Sequence, residues 1–187
     1  MANPNGSFSG NPKTEWLTES GTEDRNMRLL AAFWYKDPTG RVWPAPKGSV
    51  INGASIPRPL WSTVGSPYTD DYRRASVVHD VACDSPSVPR KDADVMFYFA
   101  CLAGGCSPLQ ARILYAGVRL GAWASDNLTD RSMSAGELLF REQIGVPFVD
   151  EAFLKGKLSE ISADMKTLPD DTSIEQLDRA IARHIKV

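Results

Sequence analysis

Three stretches between Thr69 and Ala124 constrain the fold most, because each has helical spacing and its own stop signals. "TDDYRRASVVHDVACD" (69–84) opens on residues able to cap a helix, and Tyr72, Ala75, His79 and Cys83 follow at steps of three and four. "PRKDADVMFYFACLAGG" (89–105) opens on proline and acids and closes on two glycines. "SPLQARILYAGVRLGAWA" (107–124) has serine as cap and proline at the first helical position. Leu109, Ile113, Ala116 and Leu120 line its expected buried face. The turn between the first two helices is short, which sets them antiparallel.

The flanks differ in character. Residues 1–12 are rich in Asn, Gly, Ser and Pro and read as a flexible arm. Residues 14–51 alternate strand-like runs with the turn at "DPTG" (37–40) and read as a small antiparallel sheet, with Trp16, Trp34 and Trp43 as packing residues. "APKGSVINGASIPRPLW" (45–61) reads as loop up to Pro57, with a short helix after it and Trp61 in the core. The unit 13–124 is followed by a polar connector, 125–148, that holds a further short helix at 133–145. In the tail, 149–187, Leu154, Leu158, Ile161, Met165 and Leu168 make a seam of about two heptads, too short to stand alone in water. With "TSIEQLDRAIARHIKV" it forms a helical hairpin that docks on its own domain or on a partner. His184 reads as an exposed surface residue. The expected class is therefore α+β: a small N-terminal sheet, a helical core and a C-terminal helical hairpin.

A net charge of −2 gives no overall field that attracts nucleic acid. Cys83, Cys101 and Cys106 read as small core residues, and no CxxC or HxxxH spacing points to zinc. No run approaches the ~20 apolar residues of a membrane span. The polar start "MANPNGSFSGNPKTE" lacks the order of a signal peptide.

The chemistry concentrates in one place. Counted back from a bend near residue 87, His79 and Asp94 each lie about two turns away, at ~5.4 Å per turn. Packed helices would bring imidazole and carboxylate together, fixing the ring so that its other nitrogen takes a proton from water. The same spacing also fits a hydrogen-bonded core histidine. Asp80, rotated about a hundred degrees from His79, faces the loop 48–56, whose backbone carbonyls would complete a hard-oxygen site for Ca²⁺.

Two resemblances extend this reading. "PKGSVINGASIPRPLW", "ASVVHDVACD", "RKDADVMFYFA" and "ILYAGVRLGAWA" resemble an uncharacterised family common in phages and prophages. Its ordered pattern is Asp-Gly-Ala-Ser-Ile-Pro-Arg with a following Trp, a His-Asp helix, an Arg-x-x-Ala-Asp helix and a Tyr-x-x-Val-Arg helix. The same order is similar to that of the small bacterial secreted phospholipases A2. The matching residues are Asn52, Gly53, Ala54 and Ser55, then His79 and Asp80, Asp94 with Tyr98, and Tyr115, Gly117 and Val118. That resemblance implies a phospholipase A2-like core and calcium-dependent hydrolysis of a phospholipid ester. It makes His79 the general base, Asp94 its orienting partner, and Asp80, Asn52 and Gly53 the Ca²⁺ site. Arg58 and Tyr98 are candidate substrate contacts, with Arg58 also able to brace its own loop. Asn52 stands where both patterns carry Asp, so the site lacks one negative charge and its affinity for Ca²⁺ falls. The implied partners are a phospholipid membrane surface, and a phage particle or protein partner reached through 149–187. The alternative is a virion structural or accessory protein on a weakened phospholipase-like scaffold. The implied location is host cytoplasm or virion, with delivery by a route other than a signal peptide, and an effector acting on a rival's membrane fits the same residues.

Overall fold

A computed structural model describes residues 3–18, 26–53, 56, 60, 71–128 and 151–185. Strands come first. β1 (Ser7–Phe8), β4 (Phe33–Lys36) and β5 (Val42–Ala45) form one antiparallel sheet in the order β1-β4-β5. β2 (Thr14–Trp16), β3 (Met27–Leu29) and β6 (Val50–Ile51) form another in the order β2-β3-β6. The single expected sheet is thus two. The chain bends after Leu29, so that Leu29 continues one ladder and Phe33 starts the next. The expected arm is also partly built into the fold. Ser7 pairs with Lys36 and Phe8 with Tyr35, and the Phe8 ring stacks on Phe33.

The turn between β4 and β5 shows how sequence dictates geometry here. Asp37 Oδ1 accepts hydrogen bonds from the amides of Thr39 and Arg41, and its Oδ2 accepts one from Trp43 Nε1. Gly40 takes the left-handed conformation the turn requires, at φ 92°. Of the three sheet tryptophans only Trp43 is buried. Trp16 and Trp34 stand on outward positions and are 63% and 38% exposed. Alternation explains this: in β4, Phe33 and Tyr35 take the inward face and leave Trp34 outside.

Helices follow. α1 (Arg73–Cys83) packs antiparallel to α2 (Arg90–Gly104), and α2 packs on α3 (Pro108–Leu128). The start of α1 falls later than expected. Tyr72 stands at its N-cap without a side-chain cap bond, and Thr69 and Asp70 lie outside the described residues. The punctuation of α2 and α3 acts as its chemistry requires. Gly105 ends α2 at φ 114°, and Ser107 Oγ accepts a hydrogen bond from the Gln110 amide at the start of α3. The buried face of α3 is displaced from its expected stripe: Ala116 and Leu120 are buried but Leu109 and Ile113 only partly, while Leu114, Tyr115 and Val118 are each at most 1% exposed. α3 lies between α2 on one side and α4 (Glu151–Thr167) on the other.

α4 and α5 (Ile174–Ile181) form the C-terminal hairpin, and the α4 seam meets its own domain. Leu154, Leu158, Ile161 and Met165 are fully buried. Arg112 of α3, itself 1% exposed, donates to the carbonyls of Met165 and Leu168 and to Asp170. A guanidinium thereby satisfies carbonyls at the end of α4 that the helix itself leaves unpaired. Tyr115 donates to Asp178 at 2.7 Å, and Lys91 also reaches Asp178. Ser173 caps α5 through a reciprocal box with Gln176. His184 is less exposed than its sequence context suggests, because its ring lies between Glu160 and Asp164. The expected helices at 57–65 and 133–145, with Trp61, lie outside the described residues.

Candidate functional site

α1 and α2 place His79 and Asp94 opposite one another. His79 Nε2 donates to Asp94 Oδ1 at 2.8 Å, and both side chains have no exposure. Two further donors meet the same carboxylate. Arg90 Nε, one turn before Asp94, reaches Oδ1 at 3.1 Å, and Arg119 Nη1 reaches Oδ2 at 3.0 Å. Asp94 is therefore the centre of a four-member cluster of one anion and three cationic or ionisable partners. Phe97 covers the imidazole, with ring centroids 4.8 Å apart.

Burial by itself pushes the His79 pKa down. The Asp94 hydrogen bond overcomes it, with help from the Cys83 sulfur, and raises the value to about 9. Burial likewise pushes Asp94 up, but His79, Arg90 and Arg119 hold it below the usual carboxylate range. At neutral pH the couple is thus an ion pair. His79 is protonated more readily in the folded chain than in the unfolded one, so it stabilises the fold fully below about pH 6.5 and loses that effect as pH rises through about 9. The contribution is on the order of 3 kcal/mol, at roughly 1.4 kcal/mol per pKa unit. Urea unfolding between about pH 6 and 10 is expected to show that decline, with a flatter descent in His79→Gln. A wild-type midpoint level across the range would contradict the ion pair.

Asp80 points elsewhere. Its Oδ2 accepts the amides of Asn52 at 2.9 Å and Gly53 at 2.6 Å. The expectation that backbone carbonyls of this loop face Asp80 is corrected at these two residues, which turn their N–H groups to it. Gly53 takes φ 99°, a left-handed conformation that glycine adopts freely. Asp80 Oδ1 is buried and has no hydrogen-bond partner among the described residues. Burial raises the Asp80 pKa, and the Gly53 and Asn52 amides and His79 oppose it. Asp80 and Gly53 line a cavity of about 280 Å³ between α1 and the β2-β3-β6 sheet, together with Trp16, Met27, Ile51 and Arg73.

Tyr98 is not brought to this cluster. It is 4% exposed, packs edge-on to Tyr115, and lines a separate cleft beside Trp43 and Asp178. Arg58, Ala54 and Ser55 lie outside the described residues. Sequence reasoning about the site passed over Arg90, Arg119 and Cys83. A signal for the two arginines was present, since Arg-x-x-Ala-Asp and Tyr-x-x-Val-Arg place them at Arg90 and Arg119. For Cys83 it was the i,i+4 step from His79.

Among the described residues no helix is long and apolar enough to cross a membrane. No solved structure matches the chain. Two relatives from Sinorhizobium fredii (strain NBRC 101917 / NGR234) do. The chain is 34% identical to one described as "Uncharacterized protein y4jT" over 114 residues, 60% of this chain and 33% of that protein. It is 40% identical to "Uncharacterized protein y4iH" over 96 residues, 51% of this chain and 40% of that protein. The chain thus spans well under half the length of either relative. The segment that holds every member of the cluster except Arg119, residues 27–118, matches the family described as "Protein of unknown function (DUF1353)".

Proposed function

We propose that the chain is a phospholipase A2-like, calcium-dependent hydrolase of a phospholipid ester. The observation that carries the reading is the His79–Asp94 couple, with Asp80 the next residue along the helix and at the wall of a cavity. In this reading Asp94 fixes the ring through Nε2, and Nδ1 takes the proton of an attacking water in molecules whose ring has first given up its second proton. Asp80 fits a hard cation in part: Oδ1 is a buried carboxylate oxygen without a partner among the described residues, whereas Oδ2 is held by two amides. Ca²⁺ at Oδ1 would supply polarisation of the ester carbonyl. The side-chain oxygen of Asn52 is a neutral ligand where the resemblance places a charged one.

A second reading is favoured by a specific feature, the complete burial of the His79 ring. An imidazole closed to solvent and held as a cation serves cohesion better than proton abstraction. On this reading the chain is a phage virion structural or accessory protein on a phospholipase-like scaffold. Because the α4 seam is already covered, a partner of the tail would use its outward residues. The two readings part in one experiment. Fatty-acid release from mixed phospholipid vesicles is followed with Ca²⁺ and with chelator, alongside calorimetric Ca²⁺ titration. The hydrolase reading expects calcium-dependent release that falls about a hundredfold or more in His79→Ala. Absence of both release and Ca²⁺ binding in the wild-type chain rejects it in favour of the scaffold.

A further inference from the structure

A cleft of about 840 Å³ lies between the β4–β5 turn, the outer face of α2 and the link from α4 to α5. That size falls in the range of ligand clefts, roughly 300–1,000 Å³. Its floor is apolar. Val95, Phe99 and Leu102 follow at steps of four and three along α2, and all three are only half-buried. Such a row is the ridge against which a second helix packs. Its walls are acidic. Six acids line the cleft against two bases, Arg41 and Lys91. Asp170, Asp171 and Glu175 stand exposed on the hairpin side, and Asp92 stands exposed beside the turn. Charges open to water are screened by salt and by themselves say little about a ligand. The cleft's own cations say more. The Arg41 guanidinium lies 3.8 Å from the centre of the Trp43 ring and 3.5 Å from Asp92. Lys91 lies 5.7 Å from the centre of the Tyr115 ring and pairs with Asp178. Each is a basic side chain set between an aromatic face and a carboxylate. Asp170 and Asp178 are taken up by Arg112 and Lys91, while Asp171 and Glu175 form no ion pair among the described residues.

We propose that this cleft docks a basic amphipathic helix of a partner protein. Its apolar face lies on Val95, Phe99 and Leu102, and its basic flank meets Asp171 and Glu175. Charge decides which segment fits. A neutral apolar segment would strip water from the two acids and give them nothing in return. An acidic one would be repelled by the same wall. An arginine or lysine beside the apolar face gives each acid a charge-assisted hydrogen bond. The floor and one wall belong to different parts of the chain, α2 and the C-terminal hairpin, so a docked helix would also tie the hairpin to the domain. The proposal goes beyond the two readings of function. It does not use His79, Asp94 or Asp80, none of which lines the cleft.

The test uses the full chain and two fluorescein-labelled peptides, followed by fluorescence anisotropy at low salt. One peptide carries leucine and arginine at the spacing of an amphipathic helix. The other has serine in place of each leucine and the same charge. The leucine peptide is expected to bind, and the serine peptide to bind at least about tenfold more weakly, because the floor gains little from it. Asp171→Lys with Glu175→Lys is expected to weaken the leucine peptide about tenfold. Glu15→Lys with Glu151→Lys makes the same change in net charge outside the cleft, and is expected to weaken it no more than about twofold. Equal binding of the two peptides would reduce the effect to charge alone and overturn the proposal. Equal weakening by the two double variants, or no binding of the leucine peptide, would do the same. Should the reversal at 171 and 175 loosen α5, Asp171→Asn with Glu175→Gln takes its place. A loss of about threefold is then expected, and unchanged binding counts against the docking site.

Discussion

Asp94→Ala is expected to lower folding stability by about 3–5 kcal/mol, the range for removing one partner of a buried ion pair. The reason lies in what remains. His79 stays buried without the acceptor that held its proton, and Arg119 keeps a guanidinium that is only 9% exposed. His79 cannot turn to water without opening the contact between α1 and α2, nor Arg119 without loosening α3 from α2. For a domain of ordinary stability, about 5–15 kcal/mol, such a loss is a third or more of the total. Asp94→Asn is expected to lose less, because an amide keeps the shape and one acceptor but not the charge. Urea unfolding of both variants beside the wild type, followed by tryptophan fluorescence, measures the difference. A loss under about 1 kcal/mol in Asp94→Ala would mean the three cationic groups do not depend on this carboxylate.

The second large effect is expected at Arg112, and it is local. Arg112→Ala removes hydrogen bonds to the carbonyls of Met165 and Leu168 and to Asp170, and leaves a space in a closed region. One buried charge-assisted bond contributes about 1.5–3 kcal/mol and lost packing adds to that, while the contact with exposed Asp170 adds little and freed carbonyls can turn to water, so the hairpin is expected to loosen by roughly 2–4 kcal/mol. The sheet and α1–α2 keep their own core, so amide exchange should quicken in 151–185 well before it does in 73–104. Arg112→Met retains much of the packing and none of the hydrogen bonds, and is expected to fall between. Uniform exchange changes across the chain would show that hairpin and core open as one unit. Lys91 and Tyr115, which hold Asp178, would then be the stronger tie.

These two residues also show how far the amino-acid sequence was legible. α2 and α3 were readable to within a few residues, because proline, serine and glycine punctuation is local chemistry. The meeting of His79 and Asp94 followed from counting turns back from a short bend. Arg112 was not readable. Nothing near it in sequence shows that its partners lie 53 to 58 residues away, and a helix stripe drawn from Leu109, Ile113, Ala116 and Leu120 leaves it outside. The same holds for Trp16 and Trp34. Aromatic residues in a strand signal burial, but only the pairing register decides which face each one takes. The division of residues 14–51 into two sheets depends on a bend after Leu29 that carries neither glycine nor proline. At Asp80, residue type pointed to a carboxylate facing the 52–53 loop, but which backbone group the loop presents is set by its turn, not by composition.

The way Asp80 is gripped has a consequence for anything that visits it. Oδ2 already holds two of the chain's own amides, so a visitor seeking both carboxylate oxygens must dislodge Asn52 and Gly53 from it. Occupancy and release of that turn are then the two faces of one equilibrium, and the affinity measured from outside is always the residue of a contest with the backbone. A proton arriving at the bare oxygen, by contrast, disturbs neither amide. The fold thereby separates two visitors that a free carboxylate would treat alike.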